Sequence, residues 1–198
     1  MTPGLRDVKR AAVARRLARI AFEQVREQGL GRVTVEGIVA EAEVSRRTFS
    51  NYYPCKEAAV AAVVVHSVEA GLAAWDPPES AGVLELARSL VEHQVKSGVL
   101  RQLAEVAALA TEYPQLVPFV RAAQWQMWSA VGDKVLEAVP EPDDEDVEAV
   151  RLVVGALFGI VTSGLNAAGI GDGDATRTLR ASVQRGLVRL EQGLGSEG

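Results

Sequence analysis

The fold is decided by residues 34–52, which read TVEGIVAEAEVSRRTFSNY. Thr34 and Ser45 each precede a short run with apolar residues on one side, where a hydroxyl can accept a hydrogen bond from a free N–H group of a new helix. Residues 42–44, between the two runs, have the length of a tight turn. Helices this short are not stable alone, so they must pack on each other and on a third helix. The pattern predicts a helix-turn-helix.

Helical periodicity extends over the rest of the chain, with no sustained alternation of the kind that strands show. Before the motif, apolar residues recur with helical spacing from Val13 to Val25, and Gly29 ends that helix. After the motif, a helix is predicted from Glu57 to about Ala74. Five more are predicted at about 81–97, 99–111, 115–138, 143–169 and 174–192. We therefore predict an all-α fold with a three-helix head and a six-helix body.

The charge is distributed unevenly along the chain. The whole chain has a formal net charge of −5, but residues 1–56 carry 11 Lys and Arg against 6 Asp and Glu, a net of +5. Residues 57–198 carry 10 against 20, a net of −10. A basic head on an acidic body is typical of proteins that bind nucleic acid, although basic heads also bind membranes and acidic proteins.

The second helix of the motif is rich in side chains that contact DNA. Arginine forms paired hydrogen bonds with guanine, asparagine with adenine, and hydroxyls bind phosphates. Such side chains stand at Arg46, Arg47, Thr48, Ser50, Asn51 and Tyr52. A helix-turn-helix places the first residues of its second helix against the bases, which here are Arg46 and Arg47.

Three segments closely resemble the tetracycline-repressor (TetR) family of bacterial regulators: GRVTVEGIV at 31–39, VSRRTF at 44–49 and YYPCKE at 52–57. The resemblance covers about residues 8–60. It implies a DNA-binding domain at 1–55 and a ligand-binding and dimerisation domain at 56–198. It also implies a homodimeric repressor that binds double-stranded DNA at a palindromic operator and is located in the cytoplasm. A small apolar or amphipathic molecule is expected to release the repressor from the operator.

The resemblance also implies roles for individual residues. Phe49 and Tyr53 are expected in the core. Thr34 and Tyr52 are expected to contact phosphates, and Lys56 is expected to contact the DNA backbone from the start of the fourth helix. The residues expected around the DNA groove are Ser45, Arg46, Arg47, Thr48, Ser50 and Asn51.

Three positions depart from the family pattern. Glu43 replaces a turn glycine, and a positive φ there costs about 1–2 kcal/mol. Gly37 replaces an acidic residue, so the helix loses a capping partner. Cys55 replaces a Ser or Thr cap. Together the departures predict a head less stable than is usual in the family.

The body contributes candidate residues for two further sites. The expected ligand-binding residues are His93, Phe119, Arg121, Trp125 and Trp128, whose aromatic members have a helical spacing that suits ordinary core equally well. The expected dimer interface comprises Gly155, Phe158, Gly159, Thr162 and Leu187, where small residues let two helices approach closely. We expect the last two helices of each subunit to form a four-helix seam.

The uncharged stretch Leu152–Gly171 has the length of a membrane span. The alternative function is therefore a membrane-associated helical adaptor with a basic head. A soluble dimer explains the stretch as well, because a helix covered by its own subunit and by a second one is also apolar all round. Polar Thr162, Ser163 and Asn166 favour the soluble interpretation, and we expect no membrane partner.

We expect no enzyme, no metal site and no cofactor. The acidic run 143–146 is interpreted as the start of a helix, where carboxylates stabilise the free N–H groups. His66 and His93 lack metal-ligand spacing, and no nucleophile lies beside a base in the pattern. Cys55 cannot form an intramolecular disulfide, but a lowered pKa beside Lys56 would make it a redox switch. The sequence leaves open the effector, the operator, and whether the protein represses or activates.

Overall fold

A computed structural model of the chain describes residues 4–79, 81–168 and 175–193. All regular secondary structure within these ranges is helical. The head contains α1 (Leu5–Gln28), α2 (Val35–Glu41) and α3 (Arg46–Ser50). The body contains α4 (Lys56–Ala74), α5 (Val83–Lys96), α6 (Val99–Glu112), α7 (Val117–Glu137), α8 (Asp144–Ala168) and α9 (Ala175–Glu191), with a 3-10 turn at Pro114–Leu116. The predicted all-α fold, with three helices in the head and six in the body, is confirmed.

The two predicted caps organise the helix-turn-helix. Thr34 Oγ1 accepts a hydrogen bond from the Gly37 N–H at 3.1 Å, and Ser45 Oγ accepts one from the Thr48 N–H at 3.0 Å. Glu43 has a φ of 51°, in the left-handed region, as its place in the turn predicts. Its carboxylate lies 3.5 Å from Arg16 Nη2 of α1. The strained turn is thus tied to α1 by an exposed ion pair.

The head has a continuous apolar core. Phe49 is the large buried side chain of α3, and Tyr53 lies beside it with the two ring centroids 5.9 Å apart. The buried residues around them come from α1 and α2 and include Leu17, Ile20, Ala21 and Ile38. The expectation that Phe49 and Tyr53 belong to the core is therefore confirmed.

Helix α4 joins the head to the body. It packs against α1 on the head side and against α7 and α6 on the body side. Nine of its residues are buried, most of them valine or alanine. One of the nine is Gly71, whose position is filled from α5: a Cβ added there would lie 2.2 Å from Gln94 Oε1. The close approach of α4 and α5 depends on that missing side chain.

Two helices are long and apolar enough to cross a membrane by length and composition alone, Lys56–Ala74 and Asp144–Leu165. The first is α4, whose position between head and body explains its composition. The second lies in α8, and only 22% of its most apolar window is buried in the protomer. The large exposed apolar side chains of the body lie on α7, α8 and α9: Trp125, Leu152, Phe158 and Val188. These four side chains are left uncovered within one protomer.

Two glycine-to-alanine substitutions should have opposite effects on stability. A Cβ at Gly37 in α2 would meet its nearest neighbours at 3.5 and 3.6 Å, which is ordinary contact. Gly37→Ala should therefore raise the free energy of unfolding by about 0.5–1 kcal/mol, the difference between the two residues inside a helix. Gly71→Ala should lower it by about 1–3 kcal/mol, because the Gln94 amide must move. Urea unfolding at one protein concentration measures both, and equal effects of the two substitutions would contradict the packing described at Gly71.

Candidate DNA-binding surface and body grooves

Helix α3 presents its polar residues to solvent because Phe49 anchors its opposite side. The side chains of Ser45, Arg46, Arg47, Ser50 and Asn51 are exposed, and those of Thr48 and Tyr52 are half-buried. Thr34 is exposed at the start of α2. The structure thus gathers the predicted contacts of α3 on one outward surface next to the head core.

The small hydroxyls on this surface already have partners within the head. Ser45 Oγ caps α3 and lies 2.8 Å from Thr48 Oγ1, and Ser50 Oγ donates to the Arg46 carbonyl at 3.1 Å. These groups hold the local shape of α3. The longer side chains of Arg47 and Asn51 are therefore better placed than the hydroxyls to reach into a groove.

The two adjacent arginines differ in their surroundings. The Arg46 guanidinium forms an ion pair with Glu36 of α2. In the part of the chain that the structure describes, Arg47 forms no ion pair. Glu36 fixes the direction of Arg46 and neutralises part of its charge, so Arg47 is the stronger candidate for direct contact with a base. Sequence reasoning missed Glu36 because it lies ten positions away on another helix.

Tyr52 and Lys56 are tied to neighbouring elements. The guanidinium of Arg10 on α1 lies 6.0 Å from the centre of the Tyr52 ring, a cation–π contact. Lys56 Nζ donates to the carbonyls of Leu30 and Val33, each at 2.7 Å. Lys56 thereby fastens the α1–α2 connection to the start of α4. Two of its three N–H groups are used, and a DNA-backbone contact by the third stays a prediction.

Cys55 precedes α4, but its side chain forms no capping hydrogen bond. Burial raises the pKa of the Cys55 thiol and outweighs the lowering effect of the Ala58 N–H. The raised pKa is the opposite of what a redox switch at Cys55 would need, because the thiolate is the reactive form.

Residues 19–63 match the family model described as "Bacterial regulatory proteins, tetR family". The match begins within α1, includes the whole helix-turn-helix and ends in α4. The chain thus contains a TetR-type region, which covers most of the head and the start of α4. Bacterial DNA-binding regulators are what this region is similar to.

Two solved structures resemble this chain over most of its length. One is a TetR transcriptional regulator from Rhodococcus sp. RHA1, with 22% sequence identity, a TM-score of 0.46, and coverage of 90% of this chain and 97% of the other. The second is a putative TetR-family transcriptional regulator from Mesorhizobium loti MAFF303099, with 19% identity, a TM-score of 0.43, and coverage of 90% and 96%. No curated protein matches the chain.

A polar network joins the head to α4. Tyr53 Oη donates to the Ala14 carbonyl of α1 at 3.0 Å and lies 2.8 Å from His66 Nε2 of α4. His66 Nδ1 in turn lies 3.1 Å from Glu69 Oε2. Burial raises the pKa of Tyr53 far above its ordinary value, and the negative charge of Glu69 and the neighbouring Tyr52 raise it further. The phenol therefore keeps its proton and links α1 to α4.

The structure does not bring the five expected ligand-binding residues of this regulator together. His93 lies in a groove between head and body. Phe119 packs on the small cluster of Ala61, Val65 and Ala123. Arg121 is exposed on α7. The gap among α4, α6, α7 and α8, where a body cavity would lie, has a volume of about 10 Å³.

Trp125 and Trp128 border a different groove, between α7 and α8. Its volume is about 470 Å³ and its lining is mostly apolar. Trp128 packs edge-to-face on Phe158, with ring centroids 5.7 Å apart, while Trp125 is 78% exposed. Gly155 also lines this groove. Two expected ligand residues thus share a surface with two expected dimer residues.

The glycines of α8 and α9 fall into two groups. A Cβ at Gly155 or Gly159 would meet no atom within 4 Å. A Cβ at Gly164 would lie 2.9 Å from Leu179 Cδ1 of α9, and one at Gly186 of α9 would lie 2.5 Å from Ile160 Cδ1 of α8. The second group lets α8 and α9 pack within one protomer, whereas the first group lies open to solvent.

The remaining dimer candidates divide in the same way. Phe158 is 40% exposed and Thr162 is half-buried. Leu187 is only 8% exposed and belongs to the core of its own protomer, and its contact with a second copy stays a prediction. Its neighbour Val188 is 48% exposed. One step along α9 turns a side chain by about 100°, which moves it from the core to the surface.

The acidic run before α8 caps that helix. Asp143 Oδ1 accepts from the Asp146 N–H at 2.9 Å, and Asp146 Oδ2 accepts from the Asp143 N–H at 3.3 Å. This reciprocal pair satisfies N–H groups that a helix start leaves free. Among the described residues, no group of three or more His, Cys, Asp or Glu side chains could hold a metal ion.

The Tyr53 hydroxyl should contribute measurably to stability. Tyr53→Phe should lower the free energy of unfolding at neutral pH by about 1 kcal/mol, because its hydrogen bond to the Ala14 carbonyl is lost. Above the ordinary tyrosine pKa of 10.0, the unfolded phenol loses its proton while the folded one keeps it. The stability contributed by the proton therefore falls as the pH rises. The difference in the free energy of unfolding between the wild type and Tyr53→Phe should become smaller. Urea titrations below and above pH 10.0 measure this difference, and Tyr52→Phe is the control. A difference that does not change with pH would contradict the raised pKa of Tyr53.

Proposed function

We propose that the chain is a homodimeric repressor that holds a palindromic operator through two copies of α3, and that a small molecule releases it. The observation that carries this proposal is the outward surface of α3, anchored by Phe49 and carrying Arg47 and Asn51. The +5 charge of residues 1–56 supports attraction to DNA. Residues 1–55 form the proposed DNA-binding domain and 56–198 the ligand-binding and dimerisation domain.

A gel shift on the DNA upstream of the chain's own gene tests the central claim. Specific binding should exceed binding to random DNA of the same length, and both should weaken as salt rises, because phosphate contacts release counterions. Failure to prefer any upstream segment over random DNA would contradict a sequence-specific regulator.

The proposed location is the cytoplasm, where such DNA is accessible.

Arg47 should read a base. Arg47→Ala should weaken specific binding by about 1–3 kcal/mol and relax the preference at one base position in each half-site. The measurement is a gel shift with the operator and with operators changed at single positions. Arg121→Ala is the matched control, since Arg121 is an exposed arginine on α7. Equal loss on operator and random DNA would show that Arg47 contacts only phosphates.

The dimer is proposed to form through α8 and α9. Helix α8 has an apolar window that is 22% buried in the protomer, and Phe158 and Val188 are exposed on the same pair of helices. Gly155 and Gly159 leave open space along this face, so a second backbone can approach closely. A second copy covering this face accounts for its composition without a membrane.

Gly159→Leu should separate the proposed dimer. The protomer has room for the side chain, and leucine favours a helix more than glycine does, so the monomer fold should be retained. A two-fold seam contains each residue twice, so overpacking should weaken association by about 2–6 kcal/mol.

Light scattering should give twice 21.1 kDa for the wild type and 21.1 kDa for Gly159→Leu at the same concentration. Ala108→Leu on the exposed side of α6 is the control and should stay dimeric. A dimeric Gly159→Leu protein would place the seam elsewhere. Partitioning of the wild type with liposomes would instead favour a membrane-associated adaptor.

A further inference from the structure

A groove of about 580 Å³ lies where α1, α4 and the α5–α6 connection meet. This volume is within the range of small-molecule sites. By the same measure, the gap inside the body among α4, α6, α7 and α8 is about 10 Å³. Of the two spaces, only this groove, which we call the head–body groove, has room for an organic molecule without rearrangement of the core.

The lining of the head–body groove combines charge with apolar surface. Arg19 and Arg26 of α1 face Arg101 of α6 across it. Two carboxylates also line it, and one of them, Glu23, is bound to Arg19 at 2.7 Å. Among the residues described, Arg26 and Arg101 form no ion pair. The guanidinium of Arg26 is held 5.8 Å from the centre of the Phe22 ring, which leaves its N–H groups available.

The floor of the groove comes from α4 and is made of small residues. Ala70, Gly71 and Ala74 are too small to fill the groove, and Phe22 of α1 lines it with an aromatic ring. Ser67 Oγ donates to Gln102 Oε1 and joins α4 to α6 at one side. This pairing leaves the two N–H donors of the Gln102 amide for another acceptor. Donors from two helices thus surround an apolar floor.

We propose that the head–body groove binds a small organic anion, with a carboxylate or phosphate between Arg26 and Arg101 and an apolar body on Phe22 and Ala70. The proposal rests on the ligand-responsive function above and names the place and the chemical class of the ligand. Arginine donates paired hydrogen bonds to both kinds of anion. A ligand held by α1 and α6 together changes the angle at which the head meets the body, because α1 belongs to the head.

Phenyl phosphate is the probe, since it carries both an anionic group and an apolar ring. Isothermal titration of the full-length protein without DNA should show saturable binding, and benzyl alcohol, the neutral analogue, should not bind. Arg101→Gln should weaken phenyl phosphate binding at least tenfold, and Arg180→Gln, at an exposed position of α9 that does not line the groove, should leave it unchanged. Ala70→Trp should fill the groove and abolish binding. Ala73→Trp, at an exposed position of the same helix that does not line the groove, is its control.

The outcomes separate this proposal from the proposed function. No saturable binding at millimolar phenyl phosphate, or binding that survives both Arg101→Gln and Ala70→Trp, overturns the groove. Binding that is lost in Arg47→Ala and kept in Arg101→Gln places the anion on the DNA surface and overturns it too. If benzyl alcohol binds as tightly as phenyl phosphate, the assignment of the ligand as an anion is overturned. If phenyl phosphate binding fails but the gel shift still shows specific DNA binding, the proposed DNA-binding function stands without the groove. If the gel shift fails but phenyl phosphate binds as expected, the groove stands and the proposed function is contradicted.

Discussion

Helix α3 is five residues long, and a helix this short does not persist in water, so its shape is imposed by its surroundings. Phe49, 1% exposed, buries one side of it in the apolar core to which α1 and α2 also contribute, and Ser45 caps its start. Everything that the head does with DNA depends on this anchoring. A rigid short helix presents Arg47 and Asn51 in fixed directions, whereas a frayed one would lose the geometry that distinguishes one base from another.

The same head core extends into α4, so DNA binding and the state of the body are physically connected. Tyr53 bonds to α1 and α4 at once, and Lys56 fastens the α1–α2 connection to the start of α4. These contacts make the head and α4 a single packed unit. A ligand that changes the relation of α4 to α1 or α6 therefore acts directly on the orientation of α3, and a coupling of about 1–3 kcal/mol is sufficient for regulation.

The body has two surfaces of different character, and they suit different partners. The face of α7, α8 and α9 is apolar and uncovered, with Trp125 and Phe158 exposed and Gly155 open. The head–body groove is mixed, with arginines on both sides of a small-residue floor. An apolar face suits a second copy of the chain, and a charged groove of ligand size suits a small anion.

Local patterns in the sequence determined the helix-turn-helix, both caps, the left-handed Glu43 and the basic head, because each depends on residues close together in the chain. Tertiary packing decided the rest. Glu36 holds Arg46, and the five expected ligand residues do not meet in one site, because helices distant in sequence meet only in the fold. Periodicity could not distinguish Gly155 and Gly159 from Gly164, or Leu187 from Val188. Helices α8 and α9 have apolar residues on more than one side, so only their packing decides which side faces the protomer core.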